Sequence, residues 1–281
     1  MQLDINHLFR RGMLRFLQRS RRLRFPSLFA LFSMLTGCTL SSLTASTLPP
    51  MPTDIPANAW ETLAPGLERR AYTPPNSNFG ALIAVRIDPN LYSLRAHYQP
   101  GVTLTLDEWR AALPGAAIIV NANFFDLQSN ALGLVVTDGV AYGQAFSDRG
   151  ALVQVQNGMP RVRSTILEPY LGEPLEQAVQ AFPMLVMEGA ASFNNPNGDR
   201  TSRRTVAAQD SQGRILLLAT PLLGLSLTEL SAYLPTTDMD IVNAVNLDGG
   251  GSTMMYIAPA SPPYALASFD PVPVVLAVYP R

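Results

Sequence analysis

Lysine is absent: all 20 basic residues of this chain are arginines. Schiff-base chemistry and the lysine of a phosphate-binding P-loop are therefore excluded. Cysteine occurs once, at Cys38, so no intrachain disulfide can form and a structural cysteine–zinc centre is ruled out. Histidine occurs twice, at His7 and His97, and any Ser-His-Asp triad in a processed chain would depend on His97 alone. Apolar runs long enough to cross a bilayer are lacking too, since Phe25 to Met34 falls well short of the ~20 residues a span needs. Carboxylates, hydroxyls, amides and guanidinium groups are left to do any chemistry.

What is present at the start reads as an export leader. Arg10, Arg11, Arg15, Arg19, Arg21, Arg22 and Arg24 form a basic flank, an apolar segment follows, and Leu35-Thr36-Gly37-Cys38 resembles a lipobox. The expectation is a signal peptide over residues 1–37, lipidation at Cys38, and a cell-envelope lipoprotein whose contact with the membrane is the lipid anchor. Residues 38–75 read as a flexible Ser/Thr/Pro-rich tether, and 76–281 as one domain. Removing 1–37 takes seven arginines and one aspartate, leaving a net charge of about −7. That balance argues against nucleic acid as a partner.

Within the domain, several short apolar runs bounded by turn residues read as strands: 80–87, 117–120, 133–137, 182–187, 204–209, 214–220, 241–247, 253–257 and 272–279. Asp138-Gly139 reads as a hairpin turn. Two capping boxes, Thr105…Glu108 and Ser226…Glu229, open short helices, ended by Pro114-Gly115 and by Pro235. The expected fold class is α+β, a single domain on mixed or antiparallel sheet with a few short helices.

The most telling stretch is Asn246-Leu247-Asp248-Gly249-Gly250-Gly251-Ser252-Thr253. A carboxylate ends an apolar strand, and three residues without Cβ bring backbone N–H groups close to anything bound there. Two more polar clusters stand where strands end: Asn121-Ala122-Asn123-Phe124-Phe125-Asp126, and Arg200 to Thr205. Polar groups at the ends of a rigid sheet are where sites are usually assembled.

Taken in order, these motifs resemble the phosphodiester glycosidases, the family of the lysosomal uncovering enzyme. The family pattern is Asn-Gly-Gly-Phe-Phe, a Gly-led apolar strand with an Asp-Gly-like turn, Arg-Thr followed by two apolar residues and Gly, then Asn-Leu-Asp-Gly-Gly-Gly-Ser. This chain supplies Asn121 to Phe125, Gly133 to Val136 with Asp138-Gly139, Arg204 to Ala208, and the last motif intact. Gly224 to Leu227 before a helix also fits, and the match runs over roughly 80–281. Ala122, Asn123 and Ala208 replace family glycines, and Gln209 stands where the uncovering enzyme has a histidine.

The resemblance implies a hydrolase acting on a sugar phosphodiester or related glycosidic bond in envelope or extracellular glycan. Its non-catalytic alternative is a glycan-binding lipoprotein of the same fold. Asp248 is the expected principal carboxylate, since cleavage at an anomeric carbon passes through an oxocarbenium-like state that carboxylates serve. Asp126 is the expected second carboxylate, or else a turn cap. Arg204 is the expected anion clamp; adjacent strand residues face opposite ways, so its neighbour Arg203 is expected in solvent. Asn121, Asn123, Thr205, Gly249, Gly250, Gly251, Ser252 and Thr253 are expected to bind a carbohydrate or sugar-phosphate substrate. No cofactor is implied, although Asp248 and Asp126 could share a divalent cation; the spacing carries no metal-loop signature. His97 is expected at the surface.

Overall fold

The computed structural model describes residues 59–75, 81–222 and 224–281. The expected leader, Cys38 and the greater part of the expected tether lie outside them. In chain order the strands are β1 (Glu61–Ala64), β2 (Leu67–Tyr72), β3 (Leu82–Ile87), β4 (Tyr92–Tyr98), β5 (Ile118–Asn121) and β6 (Val135–Thr137). Then come β7 (Val140–Tyr142), β8 (Ala151–Gln156), β9 (Met159–Ser164), β10 (Gln177–Ala181), β11 (Met184–Met187) and β12 (Ala190–Ala191). The rest are β13 (Thr205–Asp210), β14 (Ile215–Ala219), β15 (Ile241–Asn246), β16 (Met255–Ile257), β17 (Tyr264–Leu266) and β18 (Val274–Pro280). Helix α1 (Leu106–Ala112) precedes β5 and α2 (Leu227–Tyr233) precedes β15. The α+β expectation holds in outline, but the chain is mostly sheet with few short helices.

All pairings are antiparallel and build three sheets. The largest runs β1-β2-β3-β14-β13-β15-β11-β12, the second β7-β6-β10-β8-β9, and the third β17-β16-β5-β18-β4. One apolar core takes side chains from all three, among them Val85, Leu217 and Val245 from the first, Val153 and Val179 from the second, Val120 and Leu276 from the third. The large sheet is buried on its other face as well, where Leu216, Leu218 and Val206 pack under Leu230 and Leu234. Helix α1 seals the outer face of the third sheet with Trp109 against Ile119 and Val275, and its indole Nε1 donates to the Val272 carbonyl at 3.1 Å. Burial on both faces is why β5, β14 and β18 are continuous apolar runs. Both capping boxes form, with Thr105 and Ser226 as N-caps.

Two expectations are corrected here. The fold begins before residue 76, because β1 and β2 extend the large sheet and Leu67 is fully buried. Their sequence hides this: Leu67-Glu68-Arg69-Arg70-Ala71-Tyr72 is rich in charge, which is met by the Arg69–Glu61 and Arg86–Glu68 pairs. His97 is half-buried on β4, with Nε2 3.0 Å from the Tyr279 hydroxyl, and burial pushes its pKa down.

Candidate active site

A polar clasp joins the third sheet to the large one. Strand β15 lies between β13 and β11, and antiparallel pairing sets its last residue, Asn246, opposite Val206 near the start of β13. Asn121, the last residue of β5, reaches across from the other sheet. Its Nδ2 donates to the Asp248 carbonyl at 2.6 Å, while its Oδ1 accepts from the Thr205 hydroxyl at 2.7 Å and the Met254 N–H at 3.0 Å. The backbone agrees: Asp248 N–H donates to the Ala122 carbonyl and Leu247 N–H to that of Thr205. Three of the sequence motifs therefore converge on the Asp248 loop. Asn121 and Thr205 are fully buried, so they fix the loop rather than face a ligand.

The three consecutive glycines answer three different demands. At Gly249 a Cβ would lie 2.8 Å from the Arg203 carbonyl oxygen, so the close approach of two backbones forbids it. Gly250 has φ +62, in the left-handed region that side chains disfavour, and its N–H donates to the same Arg203 carbonyl at 2.8 Å. At Gly251 φ is unremarkable, yet a Cβ would overlap Oδ2 of Asp270. The loop closes in a 3₁₀ turn over Gly250–Ser252.

Asp248 sits half-buried at the head of this turn, with Oδ1 accepting from the Gly249 N–H at 2.8 Å. Burial raises its pKa above the ordinary carboxylate value; the Ser252 hydroxyl and the Gly249 N–H oppose the rise, and the negative charge of Asp270 adds to it. Asp270 comes from the segment between β17 and β18 and was not singled out from the sequence. The signal was available in principle, since a third glycine that needs no special backbone angle must be making room for something.

Of the two arginines, Arg203 is the one that turns inward. It is 4% exposed, not solvated. Its Nη2 donates to the carbonyls of Thr253 at 2.7 Å and Ala267 at 2.9 Å, and its guanidinium lies 4.6 Å from the centroid of the Phe269 ring. It thereby ties the Asp248 loop to the segment carrying Asp270. The strand begins after Arg204, and alternation sends that residue the other way. Arg204 donates from Nε to the Leu225 carbonyl at 3.1 Å and from Nη2 to the Arg200 carbonyl at 2.7 Å.

Asp126 behaves as the cap. Its Oδ1 accepts from the N–H groups of Gln128 and Asn130 and its Oδ2 from the Asn130 amide, bonds that hold its pKa down, those from Asn130 first. None of these bonds reaches Asp248. Asn123 is buried, with Nδ2 turned to the carbonyls of Leu132, Leu134 and Gln180. Thr253 is fully buried as well. Ser252 remains beside the carboxylate. Phe124 packs on Phe182 at 4.7 Å between centroids, Phe146 meets Phe182 edge-on at 5.8 Å, and the Arg149 guanidinium lies over both Phe146 and Phe182. This aromatic wall follows directly from the Ala122-Asn123 segment that backs Asp248. Gln209 lies elsewhere, bonded to β9 through the Val162 N–H and the Pro160 carbonyl. An open cleft of about 680 Å³, between Arg95, Asp138, Glu176 and Arg281, takes only the Asp138-Gly139 turn from the motifs and is not lined by Asp248, Asn121 or Arg204.

With this arrangement in view, comparison with known proteins is decisive for the family. The Phosphodiester glycosidase family profile matches residues 114–279, more than half of the chain. The chain belongs to that family. The mouse N-acetylglucosamine-1-phosphodiester alpha-N-acetylglucosaminidase is 31% identical over 167 residues, covering 49% of this chain and 31% of the mouse protein. The human protein of the same name is 30% identical over 161 residues, covering 47% and 30% respectively. The chain thus spans about a third of the length of these family members. Among solved structures, the zebrafish catalytic domain of that enzyme, auto-inhibited by its pro-peptide, superposes with a TM-score of 0.60 at 17% identity, covering 81% of this chain and 87% of that one. A hypothetical protein from Synechocystis superposes at 0.62, also at 17% identity, covering 81% and 64%. Both share the fold.

Proposed function

We propose that this protein is an exported, lipid-anchored hydrolase that cleaves the bond between a sugar's anomeric carbon and a phosphodiester, or a related glycosidic bond, in envelope or extracellular glycan. The observation that carries this reading is the presentation of Asp248. Two sheets spend a buried amide and a buried hydroxyl, Asn121 and Thr205, on holding its loop. Three glycines then let that loop bend against the Arg203 backbone and admit Asp270 beside it. A half-buried acid whose pKa is raised by burial holds its proton more readily than an ordinary carboxyl, which suits donation to a departing oxygen.

The mouse and human relatives are named for acting on N-acetylglucosamine joined through a phosphodiester. A sugar of that class would stack on the Phe124–Phe182 wall and place its anomeric carbon before Asp248. A phosphate is a good leaving group and needs little protonation, so the load on the acid is modest. Arg204 faces away from the Asp248 loop and is pinned through Nε and Nη2 to the Leu225 and Arg200 carbonyls, so the anion contact does not fall to it.

The test is turnover of an α-N-acetylglucosaminyl phosphodiester in ¹⁸O-labelled water. Label in the released sugar's anomeric hydroxyl supports glycosidic cleavage. Label in the phosphate identifies a phosphodiesterase instead, and binding without turnover identifies a glycan-binding protein; either result overturns the proposal.

A further inference from the structure

We propose that Asp270 is the second carboxylate of this site, the base that takes a proton from the attacking water, and that Gly251 lacks a side chain in order to admit it. The inference rests on the hydrolase reading above and assigns the partner that Asp248 needs.

Four observations carry it. First, Asp270 is the group against Gly251: a Cβ there would overlap Asp270 Oδ2, and the next two nearest atoms are the Cγ and Cβ of the same residue. Second, the placement is built by the backbone. The N–H groups of Phe269 and Asp270 both donate to the Gly251 carbonyl, at 2.7 and 3.1 Å. Third, nine acids among the described residues are each paired with an arginine. Asp248 and Asp270 are among the ten that are not, and the charge of Asp270 acts on Asp248. A second acid whose charge acts on the first favours the protonated form of that first acid, the division a general acid and a general base need. Fourth, Arg203 joins the two loops through the Thr253 and Ala267 carbonyls while its buried Nε has no partner. A guanidinium left unsaturated there suits a site completed by an anionic ligand.

Exposure divides the labour. Asp270 is exposed and meets water, whereas Asp248 is half-buried. In the step, the water oxygen bonds to the anomeric carbon as the bond from that carbon to the phosphoryl oxygen breaks. The bonding pair leaves on the phosphate, which receives the Asp248 proton, and the water proton passes to Asp270. Exchange with solvent resets both acids. Phe269, 80% exposed and backed by the Arg203 guanidinium, borders the same opening and offers an apolar face to the group beyond the phosphate.

The experiment compares wild type with Asp270→Asn, Asp270→Ala and Gly251→Ala on a sugar phosphodiester, with melting temperatures alongside. Loss of a general base predicts a fall in kcat of about 100-fold or more for both Asp270 variants at an unchanged melting temperature. Azide should restore turnover to Asp270→Ala by supplying a small nucleophile that needs no deprotonation. Gly251→Ala, whose backbone angles suit alanine, should lose rate by displacing the carboxylate, and should add nothing in the Asp270→Ala background. Asp270→Asn turning over within threefold of wild type, while Asp248→Asn is inactive, overturns the assignment and leaves the hydrolase reading standing. A wild-type protein inactive on every sugar phosphodiester overturns both.

Discussion

The loop after β5 and the loop after β15 begin alike and end as opposites. Each carries an aspartate just beyond an apolar strand, followed by a tight turn. In the first, Asp126 accepts three hydrogen bonds from Gln128 and Asn130 within its own loop. In the second, Asp248 accepts one backbone bond, is half-buried, faces a like charge, and is held by groups from two sheets. The difference lies in what other segments bring. An aspartate in a turn is ordinary, and becomes a site only when distant residues are committed to holding and exposing it.

The largest expected effect comes from removing the clasp. Asn121→Ala leaves the Thr205 hydroxyl and the Met254 N–H without their acceptor in a buried place, at a cost of about 3 kcal/mol in unfolding free energy. It should also free the Asp248 loop and abolish turnover. Denaturant unfolding with a kinetic assay checks both; a variant as stable as wild type contradicts the buried role. Next comes the pair of arginines. Arg203→Ala should lower both kcat and stability, since it unties the two loops, whereas Arg204→Ala, which frees only the Leu225 and Arg200 carbonyls, should lower stability with turnover near wild type. Equal effects on kcat would erase the distinction between them.

Asp126→Ala should leave turnover within about twofold of wild type, as surface changes away from a site usually do, with a small drop in melting temperature. A large kinetic loss would restore that residue to the catalytic pair. The smallest effect is on the pH dependence of stability. A carboxyl whose folded pKa is raised holds its proton longer in the folded state, so its contribution falls as pH rises from the ordinary carboxylate range toward the folded pKa. Asp248→Asn should therefore match wild type at low pH and melt no lower, or slightly higher, near neutrality. A variant less stable at pH 7 would show that the charge is well accommodated.

How much of this was legible in the sequence depended on burial. Strands covered on both faces, such as Ile215–Ala219 and Val274–Pro280, announced themselves as apolar runs. Strands β2, β4, β9 and β10 did not. Their residues include Arg69, Arg163, Gln177 and Gln180, buried polar groups satisfied by partners outside their own strands, and no period within the strand reports those partners. The Asp248 motif was readable because its glycines are consecutive. The choice between Arg203 and Arg204 hung on one residue of strand register: β13 starts at Thr205, which sends Arg203 inward and Arg204 outward. Asp270 was invisible because Ser268-Phe269-Asp270-Pro271 carries no local signature and gains meaning only beside Gly251.

The central claim is that the carboxylate before the triple glycine does chemistry and its counterpart after β5 does not. Steady-state kinetics of Asp248→Asn and Asp126→Asn on one sugar phosphodiester test it most directly. The account predicts a loss of about 100-fold or more in kcat for the first and near-wild-type turnover for the second. Near-equal rates for the two, or the order reversed, would contradict it.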